Sequence, residues 1–309
     1  MVSKGDIIKA IRKEKNLKQY QVAENICEIS TLSKIENGKQ NPNQFLFKEL
    51  ISAMGEDPEK YTDSMSLEEK DILELDYDIV NLISEKKYEE AKKLLKKLEK
   101  LTKNIGKSGQ IIVKLYTTII NKNLGGSTKE AIETMEKLIE HKPDIDYSKK
   151  VMSLKNMRNI MFLAVCYIEV DDKQGVNILY QLKKYIEQKV TDKPSFANIY
   201  SGITYNLSSA LIESDEYEEA LEIVDDGLDF CERYFRYSLY EKLMFSKAKI
   251  LFELNKEEKK VDVKIDIIEI LLHSYLTAKK IDKADVCKEI KKYIVEKNID
   301  INMPLSTIL

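Results

Sequence analysis

The sequence has few of the residues that interrupt or cross-link a chain. Its 309 residues include no tryptophan, five prolines, ten glycines and four cysteines. Scarce Pro and Gly, with abundant Lys, Glu, Leu and Ile, favour helix nearly throughout. The cysteines lie far apart and form neither a CxxC pair nor a Cys/His pair with metal-ligand spacing, so we expect no metal and no cofactor. They are Cys27, Cys166, Cys231 and Cys287.

Signs of catalysis and of membrane insertion are also lacking. The only histidines, His141 and His273, lie near no Ser, Cys or carboxylate arrangement that is typical of a catalytic site. We therefore do not expect an enzyme. No run of about 18 apolar residues is present, which argues against a membrane span. The charged N-terminal sequence MVSKGDIIKAIRKEK has no apolar segment of signal-peptide length, so we expect a cytoplasmic protein.

The net charge of −3 is unevenly distributed. Residues 1–55 carry nine Lys/Arg and six acids, a balance of +3, which leaves −6 for residues 56–309. A slightly basic N-terminal segment on an acidic body suits a segment that approaches phosphates.

Two domains fit this length and pattern. Gly55 and Pro58 form a stop signal that closes a helix. We predict an N-terminal domain at residues 1–58, a polar linker at 59–70 and a helical domain at 71–309.

The second domain contains a degenerate repeat. The segments at 82–101 and 211–230 share a polar turn, Tyr-Glu-Glu-Ala and an apolar stripe, which aligns Ala91 with Ala220. Ala131 and Ala284 fit the same frame, and the steps from Ala91 to Ala131, on to a position near Val176 and then to Ala220 are each roughly 40–45 residues. Such hairpins bury their apolar faces only by stacking. We predict an all-α fold in which a right-handed solenoid, resembling tetratricopeptide repeats, offers a concave inner surface.

The N-terminal domain holds the most informative motif, LKQYQVAENICEISTLSKIENGKQNP at 17–42. It looks like the DNA-reading unit of a lambda-type helix-turn-helix repressor, with Gln19 opening one short helix and a second helix from Ile29 or Ser30 to Glu36. Residues near the start of such a helix contact bases. Candidate contacts to bases or phosphates are Lys18, Gln19, Ile29, Ser30, Thr31, Ser33, Lys34, Asn37 and Lys39. The resemblance also implies an ion pair between Arg12 and Glu36 that supports the domain and does not read DNA.

The segment NICEISTLSKIENGKQNP is particularly similar to the PlcR and NprR branch of the RRNPP regulators, Gram-positive transcription factors that sense short secreted peptides. The resemblance implies a homodimer, a double-stranded DNA operator with half-sites matched to the two-fold axis, and a peptide in the concave face of the repeats. An Asn at the position of Asn206 contacts ligand backbone in tetratricopeptide receptors. A side-chain amide both donates and accepts, which suits an extended peptide of any sequence. The same inner stripe would carry Arg158, Asn159, Tyr205, Ser209, Lys242, Phe245 and Lys249.

A second interpretation keeps the DNA-binding domain but lets the repeats bind a protein partner. A groove lined by Asn and cations favours a short peptide, whereas a flat or apolar groove would favour a protein.

Overall fold

The computed structural model describes residues 3–61, 67–103, 107–256 and 261–299, and within these ranges every regular element is a helix. The predicted all-α class is confirmed. Residues 62–66, at the centre of the predicted linker, lie outside the described residues. The N-terminal helices are α1 (Lys4–Glu14), α2 (Gln19–Ala23), α3 (Ile29–Glu36) and α4 (Gln44–Ala53), followed by a 3₁₀ turn at Pro58–Tyr61.

The rest of the described chain consists of antiparallel helices and one further 3₁₀ turn at Tyr147–Lys149. The helices are α5 (Leu67–Ser84), α6 (Tyr88–Thr102), α7 (Lys107–Asn123), α8 (Thr128–Ile139), α9 (Leu154–Ile168), α10 (Gln174–Lys189), α11 (Lys193–Glu213), α12 (Tyr217–Arg233), α13 (Tyr240–Leu254), α14 (Val261–Lys280) and α15 (Ala284–Glu296).

Short polar residues fix where several helices begin. The Ser3 hydroxyl accepts a hydrogen bond from the Asp6 backbone N–H, and the Asp6 carboxylate accepts one from the Ser3 N–H, which forms a capping box. At the start of α9, the Ser153 hydroxyl accepts a hydrogen bond from the Asn156 backbone N–H. These bonds satisfy donors that the first helical turn leaves without a partner.

One backbone turn recurs between paired helices. Lys86, Asp171, Asp215 and Asp282 all have a left-handed φ near +60°. The N–H of the residue that follows each one donates to a carbonyl five residues back, as in Lys87 N to Leu82 O at 2.8 Å. This satisfies the free carbonyls at a helix end and reverses the chain. In the described residues it closes the hairpins α5/α6, α9/α10, α11/α12 and α14/α15, and Gly125 closes α7/α8 with a related turn.

The predicted small residues occupy close helix crossings in three of these hairpins. Ala91, Ala131 and Ala220 are each the fourth residue of their helix and are at most 3 % exposed. Ala284 was assigned to this frame wrongly, because it is the exposed first residue of α15. Near the position predicted for Val176, the close approach is instead made by Gly175. A Cβ atom there would lie 2.4 Å from the Ala164 carbonyl oxygen.

The chain forms two compact units, one up to Phe196 and the other from Ala197 onward. The first includes α1–α10, and a cluster around Ile8, Leu32 and Phe47 fills its N-terminal part. The second has a cluster around Ala248, Leu271 and Ile290. The predicted boundaries at 58 and 70 describe sequence domains and stay predictions.

Candidate DNA-reading head and ligand-binding residues

The head, defined here as residues 3–61, holds its second and third helices against α1 and α4. Val22, Leu32 and Ile35 are fully buried, and Ile26 is 3 % exposed. Leu17 packs at the edge of this cluster. The helix bounds predicted from the motif are confirmed, because α2 begins at Gln19 and α3 runs from Ile29 to Glu36.

The ion pair between Arg12 and Glu36 is confirmed, and it is bidentate. Arg12 Nε lies 2.6 Å from Glu36 Oε1, and Arg12 Nη2 lies 2.7 Å from Oε2. The Glu36 side chain is 1 % exposed. Burial alone would raise the pKa of this carboxyl, but the hydrogen bonds from Arg12 and Gln19 outweigh burial and leave the pKa below its ordinary value. The pair therefore fixes the end of α3 against α1.

Gln19 takes part in the same network. Its Nε2 donates to Glu36 Oε2 at 2.9 Å. One of its N–H groups therefore supports the fold, and a contact to DNA would use the second N–H or the carbonyl oxygen. The predicted DNA contact of Gln19 stays a prediction.

The first turn of α3 presents an exposed surface. Ile29 is 51 % exposed, and Ser30 and Lys34 are exposed as well. Thr31 and Ser33 are half-buried. The remaining candidates flank this helix and are also exposed: Lys18, Asn37 and Lys39. Such a face can offer hydroxyl groups, an ammonium and a branched apolar side chain to a groove of DNA.

Among the predicted ligand contacts, two lie on α9 in the first unit. Arg158 Nη1 donates to the Tyr116 hydroxyl at 2.8 Å and lies 3.7 Å from Asp76 Oδ2. Asn159 is 1 % exposed, and its Nδ2 has no hydrogen-bond partner among the described residues. A buried amide with free donors is costly unless an acceptor reaches it.

The other predicted ligand contacts lie in the second unit. Asn206 is half-buried, and its Nδ2 donates to the Gly202 carbonyl at 2.7 Å. Its second N–H and its carbonyl oxygen are the groups that a peptide would use. Ser209 donates to the Tyr205 carbonyl at 2.8 Å. Lys242 Nζ lies 5.6 Å from the centroid of the Tyr205 ring.

Two residues on α13 differ in how much they can offer a ligand. Phe245 is 8 % exposed and packs into the cluster around Leu271, so little of its ring is open to a ligand. Lys249 Nζ lies 4.9 Å from the Phe245 centroid. Burial lowers the pKa of Lys249, while Glu289 and Glu213 act in the opposite direction. The ligand contacts of both residues stay predictions.

The sequence interpretation missed the contacts that hold the head against the repeats of the first unit. Glu49 of α4 is 7 % exposed and lies beside Ser153 and Lys155 of α9. A Glu within the largely apolar segment FLFKELISAMG is the signal that would have pointed to a buried partner. Lys150 Nζ also pairs with Glu24 Oε1 of the head at 2.7 Å.

No helix within the described ranges combines the length and the apolar character that crossing a membrane requires. Over the same ranges, no cluster of His, Cys, Asp and Glu could hold a metal ion.

Comparison with known proteins agrees with this geometry. Residues 8–61 match the helix-turn-helix family model. No curated protein sequence matches the chain. Bacillus thuringiensis PlcR, solved in complex with the peptide PapR7 and DNA, has 20 % identity and a TM-score of 0.59, over 94 % of this chain and 99 % of PlcR. PlcR in its apo form gives 18 % identity and a TM-score of 0.58, over 94 % and 98 % of the two chains.

A second regulator has a similar fold. ComR from S. thermophilus, solved in complex with DNA and its signalling peptide ComS, has 14 % identity and a TM-score of 0.54, over 96 % of this chain and 100 % of ComR. The chain therefore carries a helix-turn-helix domain at its N-terminus and has, along nearly its whole length, the fold of PlcR and ComR.

Proposed function

We propose that this protein is a sequence-specific DNA-binding transcriptional regulator controlled by a short signalling peptide. The observation that carries the DNA-binding half is the exposed face of α3, which Arg12, Glu36 and Gln19 hold in place from behind. A rigid helix with free polar side chains is what reading of the major groove requires. The regulator would act in the cytoplasm and would not be an enzyme.

Base contacts would come from the first turns of α3. Lys34 would donate to guanine O6 or N7, Ile29 would touch a thymine methyl, and Ser30, Thr31 and Ser33 would bond to base edges or phosphates. Lys18, Gln19, Asn37 and Lys39 would hold phosphates on either side, and such contacts supply affinity without sequence preference. A homodimer would place two heads on half-sites related by the two-fold axis.

The peptide-binding half rests on the repeats and on the similar regulators. PlcR and ComR have each been solved with both DNA and a peptide. The side chains that would contact the peptide are Asn206, Arg158, Asn159, Tyr205, Ser209, Lys242, Phe245 and Lys249. A peptide with different affinities for two arrangements of the protein would shift the population of heads able to bind an operator. These comparisons favour a peptide over a protein partner in the repeats.

The DNA-binding half is tested by replacing Ser30 and Lys34 with Ala after an operator has been selected from random duplex DNA. Loss of the Lys34 contact to guanine should weaken operator binding by about 1–3 kcal/mol and should relax the preference at one base pair. Lys13→Ala is the matched control, because Lys13 is an exposed lysine of α1 outside the proposed contacts. Unchanged footprints in the Ser30→Ala/Lys34→Ala variant would remove α3 from the DNA interface.

The peptide-binding half is tested by adding pooled synthetic heptapeptides to the same operator complex and measuring its affinity. If no pool changes that affinity, the protein binds DNA under some other control.

A further inference from the structure

The loop between α12 and α13 carries large side chains that the fold leaves in solvent. Phe235 is 77 % exposed and Tyr237 is 52 % exposed. Arg236 lies between them and is exposed as well. We call these three residues the tip. Aromatic residues and Arg are enriched in protein interfaces and among the residues that dominate binding energy. The tip therefore has the composition of an anchor for a partner.

The backbone of this loop indicates that Phe235 is present for its side chain. α12 ends in the left-handed turn that recurs in the repeats, because Phe235 has a φ of +53° and the Arg236 N–H donates to the Cys231 carbonyl at 2.9 Å. The corresponding residues of the four hairpin turns are Lys86, Asp171, Asp215 and Asp282. A bulky aromatic residue is disfavoured in this conformation, whereas Asp and Asn tolerate it. Backbone strain of this kind is concentrated at functional positions.

A groove lies open between α14 and α15. It has a volume of about 430 Å³ and is lined by Tyr275, Lys279, Asp282, Lys283, Ala284, Cys287, Lys288 and Lys291. All of these residues belong to the two helices or to their turn, so no other helix of the described chain covers the groove. Lys279, Lys288 and Lys291 are exposed, and none of them forms an ion pair with a described residue. The groove therefore offers cations and an apolar floor to a partner.

The tip and the groove lie at the same end of the helices in the second unit. α13 and α14 are antiparallel, and the Ser274 hydroxyl of α14 donates to the Glu241 carbonyl, in the first turn of α13, at 2.6 Å. The Tyr240 ring lies 5.9 Å from the His273 ring. The end of the tip loop is thus next to the last turns of α14, where the groove begins. A two-fold interface uses the same patch on both copies, and a patch that includes both tip and groove meets this requirement.

The tip and the groove are also complementary in chemistry. Aromatic rings attract cations over their faces, and the groove already contains one such contact, because Lys291 Nζ lies 5.3 Å from the centroid of the Tyr275 ring. Asp282 is the one acid among the lining residues, and a carboxylate suits the guanidinium of Arg236. DNA or an acidic protein would neutralise the groove but leave the tip in solvent. A second copy of the chain covers both.

We propose that two copies of this protein associate reciprocally, with the tip of each copy inserted in the groove of the other. In this arrangement, Phe235 lies among the lysines of the opposite groove, and Arg236 pairs with the carboxylate there. Burial of the ring offsets the strain of its left-handed backbone, and reciprocity closes the assembly at two chains. The inference rests on the homodimer of the proposed function and assigns a surface to it.

The first experiment replaces Phe235 with a residue that suits the backbone. Asn adopts the left-handed conformation readily, so Phe235→Asn removes the ring and the strain together. In sedimentation of the full-length protein, the dissociation constant of the dimer should increase about 10- to 100-fold, as expected for loss of an aromatic anchor. At concentrations where both proteins are monomers, the variant should melt at a higher temperature than the wild type. Tyr77→Asn is the matched control, because Tyr77 is a 68 % exposed aromatic residue of the first unit, and it should leave the dissociation constant unchanged.

The groove is tested by neutralising its exposed lysines in one variant: Lys279→Gln, Lys288→Gln and Lys291→Gln. Loss of these cations should weaken association by about 10-fold. The matched control neutralises three exposed lysines of α6: Lys92→Gln, Lys93→Gln and Lys96→Gln. This control should associate like the wild type, because it changes the net charge equally but leaves the groove intact.

A cross-link locates the contact directly. Cys287 lines the groove and is a free thiol, and Arg236→Cys adds a thiol to the tip while leaving Phe235 in place. In an equal mixture of isotopically light and heavy copies, a short bismaleimide should join the introduced thiol of one copy to the partner's Cys287. Mass spectrometry should then find the two peptides joined in mixed-isotope form. Adding Cys287→Ser to this variant should abolish the product.

Wild-type dissociation constants for both Phe235→Asn and the groove variant would overturn the inference, and so would a cross-link confined to single chains. A homodimer formed through another surface would then remain, and the proposed function with it. Assemblies larger than two copies would also overturn the inference, because the contact would not be reciprocal. If the full-length protein is a monomer both alone and on a selected operator, the proposed homodimer fails and this inference fails with it. In such a monomer, protection of the groove lysines from acetylation by duplex DNA or by polyglutamate would assign the groove to an acidic partner instead.

Discussion

The head and the helical repeats are stabilised in different ways. In the head, a single polar network of Arg12, Glu36 and Gln19 fixes the end of α3, and the Glu36 side chain at its centre is 1 % exposed. In the repeats, the same left-handed turn and the same close helix crossing recur from hairpin to hairpin. A charged network depends on each of its partners, whereas a repeated crossing distributes stability over many similar contacts.

This difference explains why the structure of the head is easier to predict from the sequence than the structure of the repeats. A network with fixed partners tolerates few residue types, so its motif stays recognisable. A helix crossing needs only a small side chain and an apolar stripe, and many sequences satisfy that requirement. We therefore expect single substitutions in the head to cost more free energy of unfolding than single substitutions at the crossings.

The strongest test of this contrast is Glu36→Ala. The substitution leaves the Arg12 guanidinium, whose side chain is 13 % exposed, without its carboxylate. Breaking one half of a buried ion pair costs about 3–5 kcal/mol, which is enough to unfold a domain as small as the head. Operator binding should be lost, and hydrogen exchange should speed up in α1–α4 while α12–α15 keep their protection.

Glu28→Ala is the control for this substitution. Glu28 is exposed, precedes α3 and makes no side-chain capping bond, so its removal should change stability little. If the two variants exchanged and bound DNA alike, the ion pair would contribute nothing, and the contrast between head and repeats would disappear.

The sequence predicted the head more accurately than the repeats, for a physical reason. The starts of α2 and α3 follow from the helix-turn-helix motif, and the pair of Arg12 with Glu36 follows from the resemblance to lambda-type repressors. The repeats gave the helical class and three of the small crossing residues. Ala284 was assigned wrongly because the short sequence Lys-Ala-Asp can occur either at the start of a helix or where two helices cross. Only the position of the partner helix distinguishes these two cases.

The candidate ligand site was harder to predict. Phe245 and Asn159 were predicted to lie on the ligand-binding stripe of the repeats, but both are buried in the structure. The contact between α4 and α9 depends on Glu49 and Lys155, which lie more than a hundred positions apart, and no local pattern pairs them. Long-range pairs of this kind follow from how helices pack and not from periodicity.

A smaller effect is expected at the crossing of α9 and α10. In Gly175→Ala, the added Cβ would lie 2.4 Å from the Ala164 carbonyl oxygen and 2.9 Å from the Ile168 nitrogen. Both are backbone atoms, so the helices must move apart, which typically costs about 1–3 kcal/mol. The gain in helix propensity offsets up to about 1 kcal/mol of this. Thermal unfolding measures the difference.

Asn177→Ala is the matched control, since Asn177 is an exposed residue of the same helix. It should leave stability unchanged or raise it slightly. If the Gly175→Ala protein were as stable as this control, the helices of the repeats could move apart at a crossing without losing free energy of unfolding. The difference in sensitivity between head and repeats would then be larger than we propose.

The smallest expected effect has the opposite sign and concerns the recurrent turn. Lys86 adopts a φ of +59°, where a side chain other than Asn or Asp is disfavoured. Lys86→Gly removes roughly 1–2 kcal/mol of local strain but costs about 0.4–1 kcal/mol through the greater freedom of the unfolded chain. We expect a net stabilisation of up to about 1.5 kcal/mol. At the equivalent turn, Asp215 tolerates this conformation and accepts a hydrogen bond from the Tyr217 hydroxyl at 2.6 Å. Asp215→Gly should therefore not raise the melting temperature. If both glycine variants changed the melting temperature equally, the turn conformation, and not the residue that adopts it, would determine the stability of these hairpins.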